Sequence, residues 1–205
     1  MRPIDELLLA TRNSDKAREL AVLLGDLGIR IRTLAEFPAA PEVEEDGITC
    51  EANARKKAIE IASATGIPSV ADDTGLEVDA LGGRPGVFAA RYAGESATYE
   101  DNCRKLLKEL AGVPSERRTA RFVTAAALAM PGGYTHVTTG ALVGVIAEEC
   151  SGSHGFGYDP VFFVPELGRT LAELTAEEKN RISHRAKAFR SMADILRSLG
   201  KFRTV

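Results

Sequence analysis

The N-terminal segment has a strand–loop–helix–strand pattern, and this feature constrains the possible fold most. Residues 7–10 form a short continuous apolar run, which is typical of a buried strand. After a polar loop, apolar residues recur at helical spacing from Ala17 to Leu27, and Gly28 marks the end of the predicted helix. Residues 29–34 predict a second strand. A strand, a helix and a strand in this order predict an α/β protein.

The second half of the sequence adds a hairpin to this pattern. Residues 121–130 and 135–147 are apolar and β-rich, and Pro-Gly-Gly at 131–133 separates them. A hairpin requires antiparallel pairing, whereas the opening segment favours parallel strands. The sequence therefore predicts a mixed β-sheet flanked by helices.

Hydroxyl side chains mark where helices begin. Ser14, Thr49 and Ser183 each precede a helical pattern. Thr98 and Thr175 are each followed three residues later by an acid, which is the capping-box pattern. These positions predict helices downstream of each of them.

Size and charge limit the kinds of partner. The 205 residues fit a single domain, 1–205, or one domain with two lobes around a cleft. The net charge of −3 argues against a nucleic-acid partner, and no apolar stretch is long enough to predict a membrane span. Three widely separated cysteines favour free thiols in a reducing compartment, so we expect a cytoplasmic protein.

Polar residues suited to phosphate lie where the first predicted strand passes into its helix. Thr11 and Asn13 supply hydrogen bonds, and Lys16 supplies a cation. A helix N-terminus also offers backbone N–H groups and a positive dipole end, both of which favour anions. The same residues fit an ordinary capped helix with a solvated lysine.

Two acidic segments suit a metal ion. Residues 44–46 are three acids on a predicted loop, and Asn53 and Lys57 lie on the helix that follows. Asp72 and Asp73 follow a predicted strand at 68–71, where ligands bind in open α/β sheets. One or two carboxylates can hold Mg²⁺, and a carboxylate can accept a proton from an attacking water. A solvated acidic loop and a plain turn are the structural alternatives.

The last segment combines glycines, aromatic residues and cations. Glycines beside Phe156 let the backbone approach a ligand, and the ring of Phe156 can stack on a base. Lys179, His184 and Arg185 lie downstream and carry donors. The alternative is that Phe156 is a core or turn residue and that His184 and Arg185 are exposed. The residues alone predict a protein that binds a phosphorylated ligand, such as a nucleotide.

These segments closely resemble the inosine-triphosphate pyrophosphatase family, also called non-canonical purine NTP pyrophosphatases. The matching stretches are ATRNSDKAREL (10–20), EEDGITCEANARKKA (44–58), ADDTGLEVDALGGRPGVFAARYAG (71–94), GFGYDPVFFVP (155–165) and TLAELTAEEKNRISHR (170–185). They occur in the order typical of the family. The resemblance implies an α/β fold with two lobes around a central substrate cleft, and usually a homodimer. It implies hydrolysis of ITP, dITP or XTP to the monophosphate and pyrophosphate.

The resemblance also implies roles for individual residues. Glu44 and Asp73 match the Mg²⁺-binding acids, and Asp73 matches the general base that activates water for attack on the α-phosphorus. The implied substrate-binding residues are Thr11, Asn13, Lys16, Lys57, Thr74, Phe156, Gly157, Tyr158, Asp159, Lys179, His184 and Arg185. Lys16 and Lys57 would neutralise phosphate oxygens, and Lys179, His184 and Arg185 would hold the base end.

Two departures from the family pattern lie close to these residues. Arg12 stands where glycine is common, and Cys50 replaces a common aromatic residue. Two other functions fit the same residues: a pyrophosphatase for pyrimidine or canonical nucleotides, and a nucleotide-sensing module without turnover. The acids Asp73 and Glu44 argue against a module without turnover.

Overall fold

Strands of both orientations build the sheet that organises the chain. The computed structural model describes residues 4–200, and within them the chain forms eight β-strands and five α-helices. The strands are β1 (Glu6–Leu9), β2 (Arg30–Thr33), β3 (Ser69–Val78), β4 (Pro85–Gly86), β5 (Thr119–Ala129), β6 (Thr135–Ile146), β7 (Phe162–Val164) and β8 (Arg169–Thr170). The helices are α1 (Ser14–Leu24), α2 (Cys50–Thr65), α3 (Tyr99–Glu109), α4 (Ala176–Ile182) and α5 (His184–Gly200).

The sheet is mixed. Its strand order is β2-β1-β3-β5-β6-β7-β8, and β4 pairs with β3. Strand β1 lies parallel to both β2 and β3, whereas the pairs β3–β4, β6–β7 and β7–β8 are antiparallel. The predicted mixed α/β fold is confirmed.

Strand β3 is longer than the sequence predicts. We expected the strand to end at Ala71 and the two aspartates to follow it, but β3 continues through Asp72 and Asp73 to Val78. Aspartate is disfavoured in strands because its short polar side chain competes for backbone hydrogen bonds. Here both carboxylates have cationic or amide partners on other elements, which removes that competition.

The described residues fall into two compact units. Those of the first unit lie within Met1–Asp73, Thr124–Gly140 and Arg185–Val205, and those of the second within Thr74–Val123 and Ala141–His184. Strands β3, β5 and β6 contribute residues to both. The central cleft implied by the resemblance stays a prediction.

The core of the first unit has two sides because successive strand residues point to opposite faces of the sheet. Leu7, Leu9 and Val70 pack with residues of α1 and α5. Leu8 and Ala71 pack with small residues of α2. Each face of β3 therefore meets different helices.

The core of the second unit is richer in aromatic residues. Phe122 of β5 lies against Phe162 of β7, with ring centroids 4.6 Å apart. Leu106 and Leu110, at the end of α3, are completely buried in the same cluster.

Among the described helices, none combines the length and apolar character needed to cross a bilayer.

Candidate active site

The N-terminus of α1 is capped by Asn13. Its Oδ1 accepts hydrogen bonds from the backbone N–H groups of Asp15 (2.9 Å) and Lys16 (3.1 Å). The predicted cap, Ser14, is instead the first helical residue. The Thr11 hydroxyl accepts a hydrogen bond from the Asn13 amide at 3.2 Å. Two of the amides expected to face a phosphate are therefore bonded to Asn13, because first-turn amides favour a nearby side-chain acceptor.

Arg12, the departure in this loop, is held by the backbone. Its guanidinium donates a hydrogen bond to the carbonyl of Ala40 at 2.8 Å. The contact joins the loop after β1 to the segment that precedes the acidic residues.

One face of β3 carries a buried ionic network around Asp72. Its Oδ2 lies 3.3 Å from Lys16 Nζ and accepts a hydrogen bond from Arg185 Nε at 3.1 Å. Arg185 also donates through Nη1 to Glu19 at 2.8 Å. The Asp72 carboxylate is completely buried, and only 4% of the Arg185 side chain is exposed. Asp72 thus lies between two cations supplied by α1 and α5.

The charges in this network set the pKa of Asp72. Burial alone raises the pKa of a carboxyl group, but Lys16 and Arg185 more than offset burial and hold the pKa of Asp72 well below its ordinary value. Burial lowers the pKa of Arg185, and Asp72 and Glu19 more than reverse that effect, so its pKa is raised. Asp72 therefore remains an anion across the physiological range.

The opposite face of β3 carries Asp73. Its Oδ2 accepts a hydrogen bond from the Asn53 side-chain amide at 3.0 Å, and its Oδ1 lies 4.0 Å from Lys57 Nζ. Asn53 and Lys57 are one turn apart on α2, so both side chains reach the same carboxylate. Because Asp73 follows Asp72 in a strand, the two carboxylates point to opposite faces.

Burial dominates the electrostatics of Asp73. It raises the pKa of Asp73 above the ordinary value, and the attraction of Lys57 and Lys16 only partly offsets it. Burial also raises the pKa of the neighbouring Cys50 thiol to about 12, and the charge of Asp73 adds to that rise. Asp73 on the α2 face of β3 is therefore a buried carboxylate in surroundings that favour proton uptake.

The acidic loop lies against α2 through its second glutamate. Glu45 accepts a hydrogen bond from Lys57 Nζ at 2.7 Å, and Asp46 accepts one from Lys56 at 2.8 Å. Glu44, the predicted metal ligand, is exposed. Sequence analysis did not single out Glu45. Glu45 lies twelve residues before Lys57 in a loop, and a loop has no periodicity from which its contact with Lys57 could be predicted.

The acids near Asp73 fit one mode of Mg²⁺ binding. Within residues 4–200 no group of three His, Cys, Asp or Glu side chains could hold a metal. Mg²⁺ in nucleotide enzymes is commonly held by only one or two carboxylates together with the substrate's phosphates and water. The buried Asp73 carboxylate and the acids of residues 44–46 fit that mode of binding.

In the second unit Phe156 lies between an aromatic ring and a cation. Its ring centroid is 5.8 Å from that of Tyr99 and 4.9 Å from Lys179 Nζ. Lys179 is almost completely buried and forms an ion pair with Asp159 at 2.5 Å. Phe156 itself is half-buried.

The neighbouring residues of this segment hold its backbone. Asp159 Oδ2 accepts a hydrogen bond from the Phe156 amide at 2.9 Å. The carbonyl of Gly157 accepts a hydrogen bond from the Cys103 thiol at 3.3 Å. Tyr158 is buried in the core and donates to the carbonyl of Ala89 at 2.8 Å. Tyr158 therefore contributes mainly by fixing the loop.

His184 and Arg185 are both buried, so the alternative that places them in solvent is wrong. The imidazole of His184 stacks on Phe122 of the second unit, with ring centroids 4.4 Å apart. Arg185 belongs to the network around Asp72 in the first unit. Thr74 follows Asp73 in β3 and is half-buried.

The predicted site residues thus form two groups. In the first unit Lys16 and Arg185 meet at Asp72, and Lys57 lies beside Asp73 on the opposite face of β3. In the second it brings together Phe156, Asp159 and Lys179. Asn53 was noted only as a neighbour of Lys57, yet it contacts Asp73 directly. Asn53 lies four residues before Lys57 on the same buried face of the helix, and this spacing could have identified it.

The fold and the two groups define a mixed α/β protein with a buried ionic centre. The sequence profile of the Ham1 family matches residues 7–195. The chain is 53% identical over 190 residues to the dITP/XTP pyrophosphatase of Geobacter sulfurreducens. These residues cover 93% of this chain and 96% of the relative. It is 54% identical over 183 residues to the dITP/XTP pyrophosphatase of Geobacillus kaustophilus, covering 89% and 90%.

A solved structure supports the same assignment. A HAM1 protein from Coxiella burnetii has a TM-score of 0.85 and 42% identity, covering 94% of this chain and 98% of that one. The chain therefore belongs to the Ham1 family. The family membership predicted from the sequence is confirmed.

Proposed function

We propose that this chain is a Mg²⁺-dependent pyrophosphatase that hydrolyses ITP, dITP and XTP to the nucleoside monophosphate and pyrophosphate. The names of its relatives support the reaction and the substrate class. One structural observation carries the proposal: β3 presents a buried Asp73 beside Lys57 and Asn53, in surroundings that raise its pKa. Adjacent Asp72 is held as an anion by Lys16 and Arg185. Environments that separate the pKa values of two carboxylates are typical of an acid–base site.

Asp73 acts as the general base. The oxygen of a water molecule forms a bond to the α-phosphorus, and a proton of that water passes to Asp73. The bond from the α-phosphorus to the bridging oxygen breaks, and pyrophosphate leaves with its electron pair. The Asn53 side-chain amide donates a hydrogen bond to Asp73 Oδ2 and so orients the carboxylate.

Lysines compensate the charge of the triphosphate. Lys57 Nζ lies 4.0 Å from Asp73 and Lys16 Nζ 3.3 Å from Asp72, and the charges of both lysines act on Asp73. Fixed cations around a phosphoryl group stabilise the charge that develops during displacement, and most of the rate arises from such positioning. Both lysines already contact carboxylates, so little rearrangement is needed to hold them in place.

The metal would be held by Asp73 and one acid of the loop. When bound, Mg²⁺ supplies neutralisation of phosphate charge and acidifies a coordinated water. The sequence resemblance favours Glu44 as the second acid. Glu45 has the stronger structural support, because it bonds Lys57 and its charge acts on Asp73.

Phe156 has the strongest structural support among the predicted base contacts. Its half-buried ring, backed by Tyr99 and Lys179, offers a surface on which a purine stacks. A buried donor to the 6-keto oxygen of inosine or xanthine loses its partner when adenine binds. Such a site rejects the analogue by roughly 10⁴-fold or more.

The direct test is pyrophosphate release from ITP, dITP, XTP, GTP, ATP and dTTP, with and without Mg²⁺. We expect fast, metal-dependent release from ITP, dITP and XTP and slow release from ATP and GTP. Release from none of them would leave a nucleotide-binding module without turnover. Equal release from all six would remove the argument for base recognition.

The proposal extends to assembly and location. Family resemblance supports a homodimer, and the exposed Val143 of β6 and Phe88 supply apolar surface for contact. Light scattering after size exclusion tests it, and a monomer at micromolar concentration would contradict it. The three cysteines are free thiols, which supports a cytoplasmic location.

A further inference from the structure

We infer that Asn53 is a positioning residue that ties the acidic loop to Asp73. The inference rests on the proposed function, because it assigns Asn53 a part in presenting the general base. Asn53 does not contact the reacting atoms in this account. It acts through the carboxylate it bonds and through the loop it holds.

Asn53 connects two segments through one amide group. Its Oδ1 accepts a hydrogen bond from the Gly47 amide at 2.7 Å, and its Nδ2 donates to Asp73 Oδ2 at 3.0 Å. The reverse orientation of the amide would place Oδ1 against a carboxylate and Nδ2 against an N–H group. The hydrogen-bond partners therefore fix the orientation. Gly47 follows residues 44–46, so the bond anchors the acids at their C-terminal end.

A buried position in a helix is energetically unfavourable for asparagine, which indicates that its hydrogen bonds are important. Asparagine is a poor helix former, and a buried polar group is unfavourable unless it is hydrogen-bonded. Asn53 is only 2% exposed and lies in α2 next to Ala54, on the face that packs against Ala71 of β3. An apolar residue would pack there without a polar group, but it would leave both the Gly47 amide and Asp73 without this partner.

Gly47 fits the same arrangement. A Cβ atom on Gly47 would lie 2.6 Å from Asn53 Oδ1 and 2.9 Å from the Cβ of Ala52. Both distances are far below van der Waals contact, so an alanine must displace either the loop or the Asn53 amide. Gly47→Ala therefore perturbs the same junction without altering Asn53.

Asn102 in the second unit and Gly132 in the first offer matched controls. Asn102 is also 2% exposed and lies in the first turns of α3. Its Oδ1 accepts from the Ala93 amide at 2.8 Å, and its Nδ2 donates to the Ala90 carbonyl at 3.0 Å. Asn102 thus holds a loop as Asn53 does, but it bonds no carboxylate. Gly132 has no atom within 4 Å of a built Cβ, which makes Gly132→Ala the control for Gly47→Ala.

The experiment compares Asn53→Leu and Gly47→Ala with Asn102→Leu and Gly132→Ala in the full-length protein. Two quantities are measured: hydrogen exchange of the peptide spanning residues 44–49, and the steady-state kinetics of ITP hydrolysis across Mg²⁺ concentrations. We expect faster exchange in Asn53→Leu and Gly47→Ala only. We also expect about a 10- to 100-fold loss of kcat in them, with a higher Mg²⁺ requirement, as for other residues that orient metal ligands.

A positioning role predicts a particular kinetic pattern. The KM for ITP at saturating Mg²⁺ should change by less than about threefold, because ground-state binding of the base is untouched. Asn102→Leu loses stability but keeps the Mg²⁺ dependence of the parent protein. Parent-like kcat and Mg²⁺ dependence in Asn53→Leu would overturn the inference, even if the loop exchanges faster.

Failure of the proposed function is distinguishable from failure of this inference. A parent protein that hydrolyses no nucleotide contradicts the proposed function. The connection of the acidic loop to Asp73 through Asn53 is then tested by hydrogen exchange alone. Unchanged protection of residues 44–49 in both Asn53→Leu and Gly47→Ala would overturn it, and faster exchange in both would support it.

Discussion

The two faces of β3 in the first unit carry adjacent aspartates in opposite surroundings. On the face that meets α1 and α5, Asp72 lies between Lys16 and Arg185, and its pKa is held below the ordinary value. On the face that meets α2, Asp73 has an amide partner and a more distant lysine, and burial raises its pKa. The strand's alternation alone places two identical side chains in these two environments.

The different surroundings suit Asp72 to a structural role and Asp73 to a catalytic role. A carboxylate fixed between two cations is a poor proton acceptor, but it orders the lysine and the arginine that neutralise it. A carboxylate in a dry site with fewer cations binds a proton more readily. We therefore propose that Asp73 is the catalytic carboxylate and that Asp72 holds the ionic network. Each prediction below tests one side of that comparison.

The largest effect is expected for Asp73→Asn. Loss of the general base should lower kcat for ITP by about 10²- to 10⁴-fold. The fold should remain, because Lys57 keeps its contact with Glu45. Single-turnover pyrophosphate release, with circular dichroism as the folding control, measures both quantities. A variant that keeps more than roughly a tenth of the activity excludes Asp73 as the base.

Asp72→Asn should act mainly on stability. Removing the anion takes this partner from Lys16 and leaves the buried Arg185 with Glu19 as its remaining ion-pair partner. Breaking a buried pair costs about 3–5 kcal/mol. Urea unfolding at neutral pH measures the loss. Glu177→Gln, which removes an exposed ion pair with Arg181, is the control and should cause no measurable loss.

The loss at Asp72 should depend on pH with a definite sign. Because the folded-state pKa is lowered, the stabilisation is complete above the unfolded pKa of about 4 and declines as pH falls toward the folded value. The gap in unfolding free energy between the parent protein and Asp72→Asn should therefore be full at neutral pH and shrink in acid. A gap that grows on acidification would contradict the ion-pair account.

Glu44 and Glu45 are the two candidates for the second metal ligand near Asp73, and their variants should differ in activity. Glu45→Gln should lower activity by about 10- to 100-fold and raise the Mg²⁺ requirement, because Glu45 contacts Lys57 beside Asp73. Glu44→Gln, a change of the same chemistry at the exposed neighbour, should have a smaller effect. Mg²⁺ titrations of both variants decide between them. The reverse order would restore Glu44 as the metal acid.

The smallest effect concerns Cys50. Burial and the charge of Asp73 raise the pKa of its thiol to about 12, so the reactive thiolate should be scarce at pH 8. Iodoacetamide should label the exposed Cys150 and leave Cys50 largely unmodified, as mass spectrometry of the tryptic peptides would show. Rapid labelling of Cys50 would mean that the α2 face is wetter or less negative than proposed.

Local patterns predicted much of the fold. The strand–helix–strand opening, the hairpin around residues 131–133 and the capping boxes at Thr98 and Thr175 are all present. Each depends on neighbours within a few residues, which a sequence displays directly. Asn13, rather than Ser14, caps α1, because two adjacent residues compete for the same amides and only geometry decides.

Features that depend on distant partners were not predictable. Strand β3 continues through Asp72 because Arg185, which is 113 residues away, compensates its charge. The contact of Asn53 with Asp73 spans 20 residues and two elements. The sequence does not distinguish Glu44 from Glu45 as the proposed metal ligand, because a loop has no periodicity that assigns side chains to a face. Sequence thus indicated candidate residues, but it did not indicate the contacts that distinguish the neighbouring acids.

The most direct test of this division is to measure both pKa values by carbon NMR of the metal-free protein labelled at the aspartate carboxyl carbons. Asp72→Asn and Asp73→Asn assign the two resonances. The account predicts that Asp73 titrates above the ordinary aspartate value of about 3.9 and Asp72 below it. Titration of both at the ordinary value, or in the reverse order, would contradict the claim that the two faces of β3 separate the base from the ion pair.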